Sequence, residues 1–312
     1  MKAKKLFRIF FFSIIGFMLC ACRSAVVTEH IPAFSTPSRS LPQQTPSVII
    51  PTAATLPIPS HTLGERPTLA AQTPVDVLRI TIVYENHAYD PRLQTAWGFS
   101  ALVEYRSQVV LFDTGGDSQI LLENMQVLGI DLGRIQSIVL SHGHADHTGG
   151  LSAILDGGVR PPVYLLPSFP DTFKQQVEQL TQAIEVTPGQ VIGNGILTTG
   201  EIAGNIPEQS LLIRTGEGLV VITGCSHPGV VEIVESAVEL TGDPVYLVLG
   251  GFHLGSTSES EISAILADLR QLGVQKAAPC HCSGERAIAM FALEYGEGFI
   301  QVGVGTVISI NK

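Results

Sequence analysis

Three histidines and one aspartate stand close together at His142-Gly143-His144-Ala145-Asp146-His147, directly after the apolar run Ile138-Val139-Leu140. The run reads as a buried strand, and the glycine-bracketed segment reads as the loop at its C-terminal end. His142 and His144 are two apart, so in an extended loop both imidazoles project to one side and can grip one ion. Asp146 and His147 are adjacent, so they diverge and can offer an oxygen and a nitrogen to a second ion nearby. Imidazole with carboxylate suits zinc, iron or manganese. Solvation alone does not call for four ligand-type residues in so short a loop. The sequence therefore points to a metal site.

His-x-His-x-Asp-His after a buried strand resembles the signature of the metallo-β-lactamase superfamily. Thr223-Gly224-Cys225-Ser226-His227 and Gly250-Gly251-Phe252-His253 are similar to the branch that contains the dihydropterin phosphate synthases. The likeness runs from about Val77 to the C-terminus. It implies an α/β fold of four layers, an αββα sandwich, over residues 76–312.

The residues before it read differently. Lys2, Lys4, Lys5 and Arg8 precede an apolar run from Ile9 to Leu19, the shape of a secretory leader and short for a membrane span, with a simple N-terminal membrane anchor as the alternative. Leu19-Cys20-Ala21-Cys22 resembles a bacterial lipobox with Cys22 as the lipidated residue. Residues 1–21 are thus expected to be a lipoprotein signal, and 22–75, rich in Pro, Ser and Thr, an extended tether without a core. The folded part is then held outside the cytoplasm by a lipid anchor on a bacterial membrane. Removing the leader takes away four cations and no acid, so the formal charge moves from −10 to about −14, which argues against nucleic acid. Three cysteines are left in the folded part, Cys225, Cys280 and Cys282, each near a histidine. An odd number is not a disulfide framework.

Within the domain, strands are expected over 77–84, 97–105, 109–112, 138–140, 162–166 and 183–186, then a hairpin of 210–214 with 218–222, then 245–249 and 274–278. Helices are expected from Asp117 to Leu128, from Asp171 as N-cap to Gln182, from Val230 to Leu240, from Ser258 to Leu272 and from Ser283 to Tyr295. Asp113 opens the turn Asp113-Thr114-Gly115 at the end of the 109–112 strand. It resembles the superfamily's turn aspartate, which implies hydrogen bonds to backbone or to a metal ligand.

The resemblance also marks departures. Where the branch commonly reads Glu-His-Gly-Leu-Ser, this chain has Ala96-Trp97-Gly98-Phe99-Ser100. Thr187-Pro188-Gly189 is followed by Gln190, where many members have histidine. Cys225 stands where many relatives place a bridging aspartate, and it is either a ligand or a neighbour of one. His227 follows as the next ligand candidate, and His281 takes the place of the final histidine. Strand alternation would turn Cys280 and Cys282 away from the metal side. His253 is either a pocket residue able to serve as general acid or a structural histidine. His87 reads as a surface residue. Arg214 and Lys276 are the cations that could meet an anionic group.

The implied site has His142, His144 and His227 on one divalent ion, and Asp146, His147 and His281 on the other, with zinc expected and manganese or iron as alternatives. Asp146 and His253 are the catalytic candidates. The implied reaction is hydrolysis of a phosphoester or related ester of a small molecule by a metal-bridging hydroxide. The rivals are an iron-dependent redox enzyme on the same fold and a tethered binding module with a silent site.

Overall fold

The structure is a computed structural model that describes residues 77–311. The expected leader, Cys22 and the tether lie outside the described residues.

Thirteen strands among the described residues form two mixed sheets. The first runs in the order β13-β1-β2-β3-β4-β5-β6, from β13 (Val307–Ile310), β1 (Leu78–Tyr84), β2 (Ser100–Tyr105), β3 (Gln108–Phe112), β4 (Ser137–Val139), β5 (Val163–Leu165) and β6 (Ala183–Glu185). The second runs β12-β11-β10-β9-β8-β7, from β12 (Lys276–Cys280), β11 (Val245–Gly251), β10 (Leu219–Thr223), β9 (Leu211–Arg214), β8 (Ile196–Thr198) and β7 (Val191–Gly193).

The strands read as near-continuous apolar runs because both faces of each sheet are covered. In β3, Val110 and Phe112 point into the core between the sheets, while Val109 and Leu111 face the outer helices. In β10, Val220 and Ile222 join that central core, while Leu219 and Val221 face the other helical layer. Period-two alternation thus divides one apolar run between two cores. The outer layer of the first sheet is built by α1 (Ser118–Val127), α3 (Leu151–Asp156) and α4 (Asp171–Glu178). That of the second is built by α5 (Val230–Thr241), α6 (Glu259–Gln271) and α7 (Glu285–Tyr295). The result is the four-layer αββα sandwich.

Several boundaries differ from the sequence reading. The second strand starts at Ser100 rather than Trp97, because Gly98 at φ +142° turns the chain just before it. Asp171 is the first residue of α4, whose N-cap is Pro170; its carboxylate pairs with Lys174 one turn on. The β7–β8 hairpin was not foreseen, since Gly193 and Gly195 interrupt the short apolar stretches that form it. The ligand loop is not extended throughout: Ala145–Thr148 forms the short helix α2, with His144 at its N-cap position.

What positions the site is the run of parallel pairs. β3 lies parallel to β4, and β10, β11 and β12 are mutually parallel. The loops after all five strands therefore emerge at carboxyl ends, where α/β proteins commonly place ligands.

Candidate metal centre

The loop after β4 supplies His142, His144, Asp146 and His147. The loop after β10 supplies Cys225 and His227, that after β11 His253, and that after β12 His281. The ligand-type atoms of His142, His144 and His227 all lie within 4.8 Å of one another, and so do those of Asp146, His147, Cys225 and His281. The imidazole planes of His142 and His144 meet edge to face at 4.6 Å, and each stands 4.9 Å from that of His227. In the second set His147 Nε2 lies 3.2 Å from both His281 Nε2 and Cys225 Sγ. Asp146 Oδ2 is 3.4 Å from His281 Nε2 and 3.7 Å from His147 Nε2.

Both sets are oriented from behind. Asp113, fully buried at φ +55°, accepts from the Ser141 backbone N–H and the Ser141 hydroxyl at 2.7 Å each, and pairs with His147 Nδ1 at 2.7 Å. Ser141 Oγ in turn meets His142 Nδ1 at 2.9 Å. Asp113 thereby fixes the ring of His147 directly and that of His142 through Ser141, leaving each Nε2 to face the cluster. On the other side Asn86 Oδ1 holds His281 Nδ1 at 3.0 Å, and Glu85 accepts the His281 backbone N–H at 2.7 Å.

Glu208 was not foreseen. One of its oxygens accepts from the backbone N–H groups of Gly224, Cys225 and Ser226 at 2.8–3.0 Å, and the other from that of His227 at 2.9 Å. A single buried carboxylate thus shapes the whole loop that carries Cys225 and His227. Burial pushes its carboxyl up to about 7, against the pull of those N–H donors. The one sequence signal was a glutamate just before an apolar strand, which is too common to interpret.

Electrostatics sharpen the picture. Burial, then the charges of neighbouring imidazoles, hold His142 far below the usual histidine range and His227 down to about 4. For Asp146 burial acts upward, but the hydrogen bond to His281 and the charges of His147 and His281 outweigh it and hold the carboxyl well down. For His147 burial acts downward, and the Asp113 carboxylate overcomes it and raises the ring.

The other candidates separate clearly. His253 is exposed at the rim, at φ +54°, with its ring 4.4 Å from that of His227. Cys280 is buried in the central core, pointing away as expected. Cys282 is a correction: β12 ends at Cys280, a 3₁₀ turn over His281–Ser283 replaces strand alternation, and the Cys282 thiol meets Cys225 and His253. The Cys225 thiol and His253 lower the Cys282 thiol. His87 pairs with Glu85 and with Glu285. Gln190 caps its own turn by accepting from the Thr187 N–H. Arg214 pairs with Asp243, and Lys276 sits over the Tyr246 ring. These two cations lie toward the strand ends opposite the site.

The donor set fits divalent metal. His142 Nε2 and His227 Nε2 are buried and have no hydrogen-bond partner, although a buried unpaired nitrogen is costly. His147 Nε2 and His281 Nε2 face each other with a thiol and a carboxylate beside them, a group of lone pairs that a cation satisfies.

Two packed mixed sheets, outer helices and a His/Asp/Cys cluster at the strand ends define a metal-dependent hydrolase type of fold. The chain belongs to the metallo-beta-lactamase superfamily, whose family model matches residues 98–246. It is 30% identical over 285 residues to 7,8-dihydropterin-6-methyl-4-(beta-D-ribofuranosyl)-aminobenzene-5'-phosphate synthase of Methanocaldococcus jannaschii, covering 75% of this chain and 97% of that one. Among solved structures it is similar to a metal-dependent hydrolase of the beta-lactamase superfamily, with TM-score 0.64 and 30% identity over 75% of this chain and all of the other. The metallo-beta-lactamase fold protein YhfI from Bacillus subtilis, at 14% identity and TM-score 0.55 over 75% of this chain and all of that one, shares the fold.

Proposed function

We propose that this protein is a metal-dependent hydrolase of a phosphoester or related ester. In this reading His142, His144 and His227 hold one divalent cation, and Asp146, His147 and His281, with Cys225 beside them, hold the second. The observation that carries it is the convergence of two ligand sets that share one loop and leave buried imidazole nitrogens unpartnered. Zinc is the first expectation for such donors. A pair of such cations supplies Lewis-acid activation of water and neutralises charge on the scissile group.

The chain's own residues do the rest. Asp113 and Asn86 lock the rings of His147 and His281 so that their free nitrogens stay aimed at the cluster. Asp146, half-buried at the cluster's edge, offers an oxygen that accepts a hydrogen bond from the attacking water and orients it. His253, exposed beside His227, is placed to hold a proton for the leaving oxygen. The phosphoester preference draws support from the phosphate named in the synthase relative. The synthase's own substrate and pathway are not carried over. The domain is further proposed to work outside the cytoplasm on a lipidated tether.

The test is metal content by mass spectrometry on the full-length protein purified without added metal, together with His144→Ala. About two zinc or manganese ions per chain are expected, with turnover of phosphoesters abolished in the variant while its circular dichroism stays native. Retained activity in His144→Ala would sink the proposal. Iron with oxygen- or thiol-dependent activity would replace it with a redox enzyme. No metal, even after soaking, would leave the binding module.

A further inference from the structure

Trp97 is the only tryptophan in the chain, and it is 60% exposed. Its ring centroid lies 4.8 Å from that of His281, tilted by 49°. The largest apolar side chain thus flanks the second ligand set with much of its surface open to solvent.

Its backbone is held tightly. Gly98 packs against the ligand loop so closely that a Cβ there would fall 2.4 Å from the Asp146 carbonyl oxygen, at a φ of +142° that only glycine adopts readily. Phe99, fully buried, donates its N–H to the same carbonyl at 3.2 Å and accepts from Gly115 at 3.0 Å. Ala96 donates to the Glu85 carbonyl at 3.3 Å. Trp97 therefore stands between anchored neighbours, and its position is tied to that of Asp146. Tyr89, in the same connection between β1 and β2, is also 60% exposed.

A rigid, exposed aromatic beside a reactive centre gives contact area at low entropic cost. It favours a partner ring in an offset or edge-to-face arrangement. We propose that Trp97 is a stacking platform, and that the substrate is an ester, in the first instance a phosphoester, of a planar aromatic or heteroaromatic group. The ring packs on Trp97 while the ester reaches the set formed by Asp146, His147, Cys225 and His281. This inference rests on the hydrolase reading and adds the class of the group that the ester carries.

The lone tryptophan is also the reporter. Phenylphosphonate and methylphosphonate present the same head group, and their carbon–phosphorus bond resists hydrolysis. Each is titrated into the metal-loaded, full-length protein while Trp97 emission is followed, with calorimetry supplying affinities for variants that lack it. Phenylphosphonate is expected to perturb the emission and bind about tenfold more tightly than methylphosphonate, the scale of one aromatic contact. Trp97→Phe keeps most of that preference, and Trp97→Ala brings the two affinities together. A ring that merely shields His281 would weaken both ligands alike on removal.

Equal affinities in the wild type, a phenyl preference that survives in Trp97→Ala, or binding of neither phosphonate overturns the proposal. A protein that holds its metals and cleaves phenyl and methyl esters alike keeps the hydrolase reading and loses this one. A protein without metal loses the hydrolase reading itself.

Discussion

Glu208 shows how much of this site depends on a residue that binds nothing in it. Its two oxygens accept four backbone N–H groups from the loop bearing Cys225 and His227. Each buried donor left without an acceptor costs about 1–3 kcal/mol. Glu208→Ala is therefore expected to lose at least about 3 kcal/mol in urea unfolding, with Glu208→Gln much milder because the amide oxygen still accepts. An alanine variant as stable as the wild type would contradict this. The histidines and Asp146 were legible because their types and spacing carry the chemistry by themselves. Glu208 was not, because its partners are backbone groups distant in sequence, and backbone groups leave no mark on residue type. Asn86 carries no local signal of its role either, since its hold on His281 depends on a contact across 195 positions.

At the scale of elements, local rules worked where local physics decides. Ser258 caps α6 in a reciprocal box with Glu261, and Ile262, Leu266 and Leu269 form its buried face. Ser258→Ala is expected to cost about 1 kcal/mol and lower the melting temperature by roughly 2–4 °C. Turnover of the proposed phosphoester substrates is expected to stay unchanged, because the cap contributes to the outer layer and to no metal-site residue. Calorimetry beside an activity assay checks both halves, and an unchanged melting point would show that the box contributes nothing. Alternation failed at Cys282, since the strand gives way to a 3₁₀ turn at His281, held at φ +52°. The backbone N–H of His281 is bound by Glu85 and its carbonyl by Asn86. Tertiary hydrogen bonds, not the strand's own period, end β12 there and swing the thiol toward Cys225.

For the whole molecule, the proposed arrangement is a metal-bearing sandwich on a proline-rich tether from a lipidated Cys22. In bacterial cells the wild type is expected in the membrane fraction with an acylated N-terminal peptide, and Cys22→Ser in the soluble extracytoplasmic fraction without acyl mass. Recovery of wild type from the cytosol with Met1 intact would refute the tether.

The sequence by itself determined most of the strands and helices, the ligand-bearing loop after β4 and the residue types offered to metal, because periodicity and side-chain chemistry are local properties. Only the tertiary structure decided that Cys225 joins the second ligand set, that Glu208 holds the loop bearing Cys225 and His227, and that Trp97 stands open beside His281. Those facts arise from bringing the carboxyl ends of strands in two separate sheets to one edge of the sandwich. That pairing is made by burying a common core, and no local stretch of sequence encodes it.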